Sequence, residues 1–147
     1  MRAEGKTLVL TNGCFDLLHV GHIRYLQAAR SLGDALAVAL NSDVSVRALK
    51  GAGRPIVPEE ERAEILAALE AVDFVTVFDD KTAVSLVRDV APGVYVKGGD
   101  YSQDPDDPRF PPEGWAAIDG GGTVRILDYI GGRSTSDLIR RIAHLSG

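Results

Sequence analysis

Residues 7–33 read TLVLTNGCFDLLHVGHIRYLQAARSLG. An apolar, β-rich run over 7–12 gives way to a helical pattern predicted over 21–32. That helix stops at Gly33, a residue that suits the position just past a helix C-terminus. Strand, turn and helix in this order open a crossover unit, whose right-handed return lays the next strand parallel to the first. Two of the chain's three histidines, His19 and His22, flank Gly21 at the turn into the helix.

The rhythm continues outward. Further strands are predicted over 35–41, 73–78, 94–97 and 123–128, and several lack polar alternation, as strands covered on both faces do. Helices are predicted over 42–49, 58–70, 81–91 and 134–145. The helix at 58–70 opens with Pro58 and three glutamates, which suit a helix N-terminus, and Ile65, Leu66 and Leu69 give it one apolar face. The expected fold is α/β: a Rossmann-like, open, doubly wound parallel sheet of about five strands with helices on both faces. Ligands bind such sheets beyond the carboxyl ends of the strands, so residues 11–18, 41–43, 78–80, 97–101 and 128–134 are expected on one rim.

One segment breaks the alternation. GGDYSQDPDDPRFPPEGW (98–115) holds four prolines and three closely spaced aspartates, and is predicted to be a loop, either a solvated insertion or a lid over the substrate. The aspartates lack the spacing and central glycine of a calcium loop. With no internal repeat and no linker, residues 1–147 are expected to form a single domain.

Apolar residues make up 45% of the 147 and charged residues 25%. Sixteen Lys and Arg against 21 Asp and Glu leave a net charge of -5, which argues against a broad grip on nucleic acid or anionic membrane. A small basic pocket for a phosphorylated metabolite stays open. Cys14 is the single cysteine, so the chain can form no internal disulfide and no cysteine zinc cluster. No apolar run approaches the roughly 18 residues of a membrane span, and the N-terminal apolar stretch is short for a secretory signal. A cytoplasmic location is expected.

An imidazole can donate to phosphate oxygens, and a helix N-terminus adds free N–H groups and a favourable dipole. Gly21 lets backbone and ligand approach closely, and His19 and His22 can lie on one side of the first turn. That arrangement suits nucleotidyl transfer, in which the protein mainly positions and neutralises phosphates. A transition-metal pair, or two solvated side chains, are the competing accounts. Lys50, in the glycine-spaced KGAGRP with Arg54, can close on polyphosphate or stay solvated. Arg62 can meet substrate, or pair with Glu59 or with an exposed neighbour. In KGGD (97–100), Lys97 offers charge, Gly98 and Gly99 allow tight turns, and Asp100 either accepts from ribose hydroxyls or caps a turn. Ser134 and Asp137 form a variant capping box, and the hydroxyls there can also cradle phosphate. Asp16, Asn41 and Asp43 lie at predicted strand ends, and Cys14 is expected beside the first turn.

TNGCFDLLHVGHIRYLQAARSLGD, then LNSDVSVRALKGAGRPIVPEEERAEILAALEAVDFV, VKGGDY and GRSTSDLI, resemble in order and spacing the nucleotidyltransferase superfamily whose signature is His-x-Gly-His. Within it the chain is most similar to the adenylyltransferases that make ADP-heptose from heptose 1-phosphate and ATP. The resemblance covers nearly the whole chain, residues 102–120 excepted. It implies AMP transfer from ATP to a sugar 1-phosphate, with His19, His22 and Lys50 as catalytic residues. Cys14, Phe15, Gly21, Lys97, Gly99, Asp100, Ser134, Thr135 and Ser136 are implied nucleotide contacts; Asp16, Asn41, Asp43 and Arg62 are implied on the acceptor side. It further implies Mg2+ held mainly through nucleotide phosphates and a separate sugar kinase supplying the 1-phosphate, and it is compatible with a homo-oligomer. Two alternatives remain: a cytidylyltransferase acting on glycerol 3-phosphate or a similar alcohol phosphate, and a nucleotide-binding regulatory module without turnover. The cytidylyltransferases carry Arg-Thr where this chain has Tyr129 and Ile130.

Overall fold

The β-rich run at the start of the chain forms β1 (Leu8–Gly13), and the histidine turn leads into α1 (Val20–Arg30). A computed structural model describes residues 2–128 and 135–146 of the chain. After a short 3-10 turn at Arg2–Glu4, β1 and α1 are followed by β2 (Ala35–Asn41), α2 (Asp43–Lys50), α3 (Glu59–Ala67) and β3 (Phe74–Phe78). The chain continues through α4 (Val84–Val90), β4 (Val94–Gly98), α5 (Pro112–Asp119), β5 (Thr123–Leu127) and α6 (Thr135–Ser146).

Among the described residues the strands form one parallel five-stranded sheet in the order β3-β2-β1-β4-β5. The first three strands are laid outward in one direction, and the chain then returns to place β4 on the other side of β1, with Val9 opposite Val94. The carboxyl ends of β1 and β4 therefore bound the crevice where the order reverses, the usual ligand site of such a sheet.

Side-chain alternation divides the core into two layers. Val9, Leu36, Val38, Leu40 and Val96 face α1 and α3, where Tyr25, Leu26, Ala29 and Leu66 are buried. Leu10, Ala37, Ala39, Tyr95 and Val124 face α4 and α5, against Val87, Ala116 and Ala117. Interior strand β2 is buried at all seven positions, whereas β3, at the sheet edge, leaves Phe74 and Val77 exposed.

Two expectations need correction. The predicted loop 98–115 ends early, because residues from Pro112 onward form α5. Pro111 and Pro112 supply the fixed φ of a helix start, and the following Ala116 and Ala117 bury fully against β4 and β5. The helix predicted over 58–70 is shorter, and of its expected apolar face Leu66 is buried, Leu69 partly so, and Ile65 exposed. Where α5 turns into β5, a Cβ on Gly122 would lie 2.2 Å from the Pro92 carbonyl oxygen, so only glycine fits that approach. No described helix is long and apolar enough to cross a membrane.

Candidate active site

The turn between β1 and α1 is built tightly. Phe15 has φ of 46°, a left-handed conformation unusual outside glycine, and its buried ring lies over Gly13, where a Cβ would sit 2.9 Å from ring atom Cε2. The same ring lies 5.6 Å from that of His22. His19 is the N-cap of α1, with extended backbone, and its Nδ1 accepts from the Gly21 N–H at 3.1 Å. His22 reaches back, and its Nδ1 accepts from the His19 N–H at 3.3 Å. This is a capping box made from two imidazoles in place of a hydroxyl and a carboxylate.

The capping bonds decide the tautomer. A neutral imidazole that accepts at Nδ1 carries its hydrogen on Nε2, so both rings are Nε2–H donors in the neutral form. Burial, and secondarily the nearby His19, lower the pKa of His22 to about 4. The ring centroids are 4.1 Å apart. His22 is therefore uncharged near neutral pH, beside the positive end of the α1 dipole.

Under this turn lies a polar scaffold. The fully buried guanidinium of Arg62 donates from Nε to the Val57 carbonyl, from Nη1 to the carbonyls of Cys14 and Asn41, and from Nη2 to Asp43 Oδ1 at 2.7 Å. Asn41 donates to Ser45 Oγ, and Glu59 Oε1 accepts from the Asp43 N–H. Arg62 thus ties the ends of β1 and β2 to the start of α2 and the loop before α3; its partner is Asp43, not Glu59.

Asp16 performs a parallel task. Its buried carboxylate accepts from the N–H groups of Ile56 and Val57 at 2.9 Å and from Arg54 Nε at 3.0 Å, latching the glycine-spaced loop to the histidine turn. Burial alone would raise the Asp16 pKa, but the two backbone donors and Arg54 outweigh it and hold the group below its ordinary value. Burial raises the thiol of Cys14 against the opposing pull of Lys50, Arg62 and Arg54, so Cys14 remains a thiol amid three cations. Lys50, the last residue of α2, is thereby brought near the turn, while its own side chain stays exposed.

Across the crevice, Lys97 Nζ sits 3.8 Å from Glu113 Oε2 and 5.1 Å from the centroid of the Tyr101 ring. Gly99 has φ of 101°, turning the chain at the end of β4. The Asp100 side chain is exposed, 3.8 Å from Arg109 Nη1. The loop aspartates bind their own loop: Asp104 accepts from the Asp106 N–H and Asp107 from the Arg109 N–H, while Gln103 accepts from Ile126 N–H of β5. Ser134 lies outside the described residues, as do the side chains of Thr135, Ser136 and Asp137.

Sequence reasoning missed Asn12, Tyr95 and Glu113. Tyr95 Oη donates to Asn12 Oδ1, and Glu113, almost fully buried, also accepts from the Ala83 N–H at 3.4 Å. The Pro-Pro-Glu helix start was the signal for Glu113; Asn12 and Tyr95 meet across strands far apart in sequence.

Among the described residues no group of three His, Cys, Asp or Glu side chains is placed to share an ion, and Asp16 and Asp43 are engaged by arginines. No step is assigned to a protein-bound metal.

A family model described as Cytidylyltransferase-like matches residues 10–118, the span from β1 to the end of α5. The "Bifunctional protein HldE" of Geobacter sulfurreducens is 50% identical over 146 residues, 99% of this chain and 29% of the relative. That of Syntrophotalea carbinolica is 51% identical over 141 residues, 96% of this chain and 28% of the relative. The chain thus spans less than a third of the length of these curated relatives. A crystal structure of the lipopolysaccharide core biosynthesis protein from Thermoplasma volcanium superposes with a TM-score of 0.67 at 28% identity, over 88% of this chain and all of the other. Thermotoga maritima TmcAL, bound with alpha-thio ATP, shares the fold with a TM-score of 0.63 at 16% identity, over 95% of this chain and 51% of the other. With its histidine turn at the reversal point of a five-stranded parallel sheet, the chain belongs to the cytidylyltransferase-like family and is a nucleotidyltransferase.

Proposed function

We propose that this chain transfers AMP from ATP to a sugar 1-phosphate, heptose 1-phosphate, releasing pyrophosphate and an ADP-sugar. The observation that carries the chemistry is the reciprocal capping of His19 and His22, which puts the hydrogen of each neutral ring on Nε2 at a helix N-terminus on the rim. The sugar is supported by the four sequence blocks shared with the ADP-heptose-forming enzymes, and by half-identity to proteins named HldE across the whole of this chain.

The acceptor phosphate is already an anion, so no general base is required. One of its oxygens attacks the α-phosphorus in line, a new P–O bond forms, and the α–β bridge breaks with its electrons leaving on pyrophosphate. His19 and His22 donate to the oxygens at the α-phosphate and its bridge, where charge grows, and Lys50 neutralises polyphosphate charge from its exposed position on α2. Cys14, Phe15 and Gly21 shape the backbone against the nucleotide, Lys97, Gly99 and Asp100 line its far side, and Ser134, Thr135 and Ser136 are assigned to its phosphates. Asp16, Asn41, Asp43 and Arg62 serve the acceptor end through the framework they hold, since Asp16 and Arg62 are engaged by protein groups. Magnesium accompanies the triphosphate as part of the substrate. A sugar kinase must supply the 1-phosphate.

The family description favours a second reading, CTP with an alcohol phosphate. A pyrophosphate-release screen of nucleoside triphosphates against sugar and polyol phosphates separates the two. ATP with heptose 1-phosphate should be the fastest pair; preferential turnover of CTP with glycerol 3-phosphate would overturn the assignment, and saturable ATP binding without pyrophosphate would mark a regulatory module.

A further inference from the structure

The crevice between β1 and β4 has a wall that the histidines do not form. In the β1–β4 ladder Tyr95 lies opposite Leu10, so Asn12, two residues beyond Leu10, shares the face that Tyr95 and Lys97 occupy. That face is covered by α4 and α5, away from the α1 layer. Tyr95, itself fully buried, donates its phenolic hydrogen to Asn12 Oδ1. An amide whose oxygen is held inward must turn its NH2 the other way. The Asn12 nitrogen makes no hydrogen bond to the described residues, and no buried side-chain nitrogen among them lacks a partner, so this NH2 is open to solvent.

We propose that Asn12 is a nucleotide contact: its NH2 donates to an oxygen of the bound nucleoside triphosphate, with Tyr95 as the residue that positions it. The inference rests on the nucleotidyl-transfer assignment and extends it to a residue of the 11–18 rim segment to which the sequence assigned no role. Lys97 stands on the same face and is held in a similar way, by Glu113 from the first turn of α5. The wall thus offers two nitrogen donors, each fixed by a buried partner, which suits an acceptor-rich ligand better than a hydrocarbon. Burial, and then the Glu113 charge, keep the Tyr95 hydroxyl protonated well above its ordinary range, so it continues to hold the amide oxygen.

Calorimetric titration of the full chain with a nonhydrolysable ATP analogue, paired with separate KM values for ATP and the acceptor, tests this. Asn12→Asp keeps the oxygen that meets Tyr95 and replaces the NH2 by a second oxygen. It should weaken nucleotide binding at least about tenfold, with the acceptor KM within about twofold of wild type. Tyr95→Phe, which frees the amide to flip, should weaken nucleotide binding in the same direction. Should Asn12→Asp lose the fold, Asn12→Ala reports the same loss. Unchanged nucleotide affinity in a folded Asn12 variant, or a rise confined to the acceptor KM, overturns the inference alone. A wild-type chain that binds no nucleoside triphosphate overturns the nucleotidyl-transfer assignment as well.

Discussion

His22 Nδ1 accepts the backbone hydrogen of His19 at 3.3 Å, and the same side chain lies buried against Phe15, so one ring both caps α1 and forms part of the floor of the turn. The contact forces His22 to be neutral, because a protonated Nδ1 cannot accept a hydrogen bond. A structural bond thereby sets the chemical state of a residue assigned to phosphate.

The first prediction concerns acid stability. The His22 pKa of about 4 lies below the ordinary 6.5, so the unfolded chain takes up this proton first. Its contribution to stability is complete above pH 6.5 and is lost as pH falls from 6.5 to about 4. Asp16, held below its ordinary 3.8, adds a loss only as pH falls further. Urea midpoints across this range should fall in two separate windows, and His22→Gln should flatten the upper one. An upper window as steep in His22→Gln as in wild type would contradict the assignment.

Arg62→Met should destabilise the chain by about 3–5 kcal/mol, because it strands the Asp43 carboxylate and three carbonyls that now share one guanidinium. Denaturant unfolding gives the value directly. A change below about 1 kcal/mol, the scale of an exposed ion pair, would show that the fork is not formed.

For Asp16→Asn the expected cost is smaller, about 1–3 kcal/mol, since a neutral amide replaces a carboxylate that accepts from Ile56, Val57 and Arg54. The distinctive consequence is local. Limited proteolysis should cut residues 51–57 faster than in wild type, and equal cleavage would argue against the latch.

Gly122→Ala separates scaffold from site. The new methyl would meet the backbone oxygens of Pro92, Ala117 and Gly93, so the melting temperature should drop by an amount equivalent to about 1–3 kcal/mol. Since Gly122 precedes β5 at the end of the sheet opposite the rim, KM values for both substrates should hold in the folded fraction.

Much of this architecture is legible in the residue order. The apolar runs locate the strands because parallel strands buried on both faces need continuous apolarity, as β2 shows at every position. The histidine turn and the glycines at 51, 53 and 99 stand out because they break those runs. Helix α5 escapes because it is short, starts on two prolines and carries Gly114, whose missing Cβ leaves room for the Phe110 ring. Ile65 misleads because a helix can carry an apolar residue on its exposed side. The roles of Arg62, Asp16 and the Asn12–Tyr95 pair depend on contacts across 19 to 83 positions of sequence, which periodicity does not encode.

The most direct test of the account is pyrophosphate release by His22→Ala with ATP and heptose 1-phosphate, alongside its affinity for a nonhydrolysable ATP analogue. Loss of a donor at the position where charge develops should lower kcat by about 100- to 1,000-fold while nucleotide binding persists. Pyrophosphate release near the wild-type rate in His22→Ala would contradict the assignment of the histidine turn as the centre of transfer.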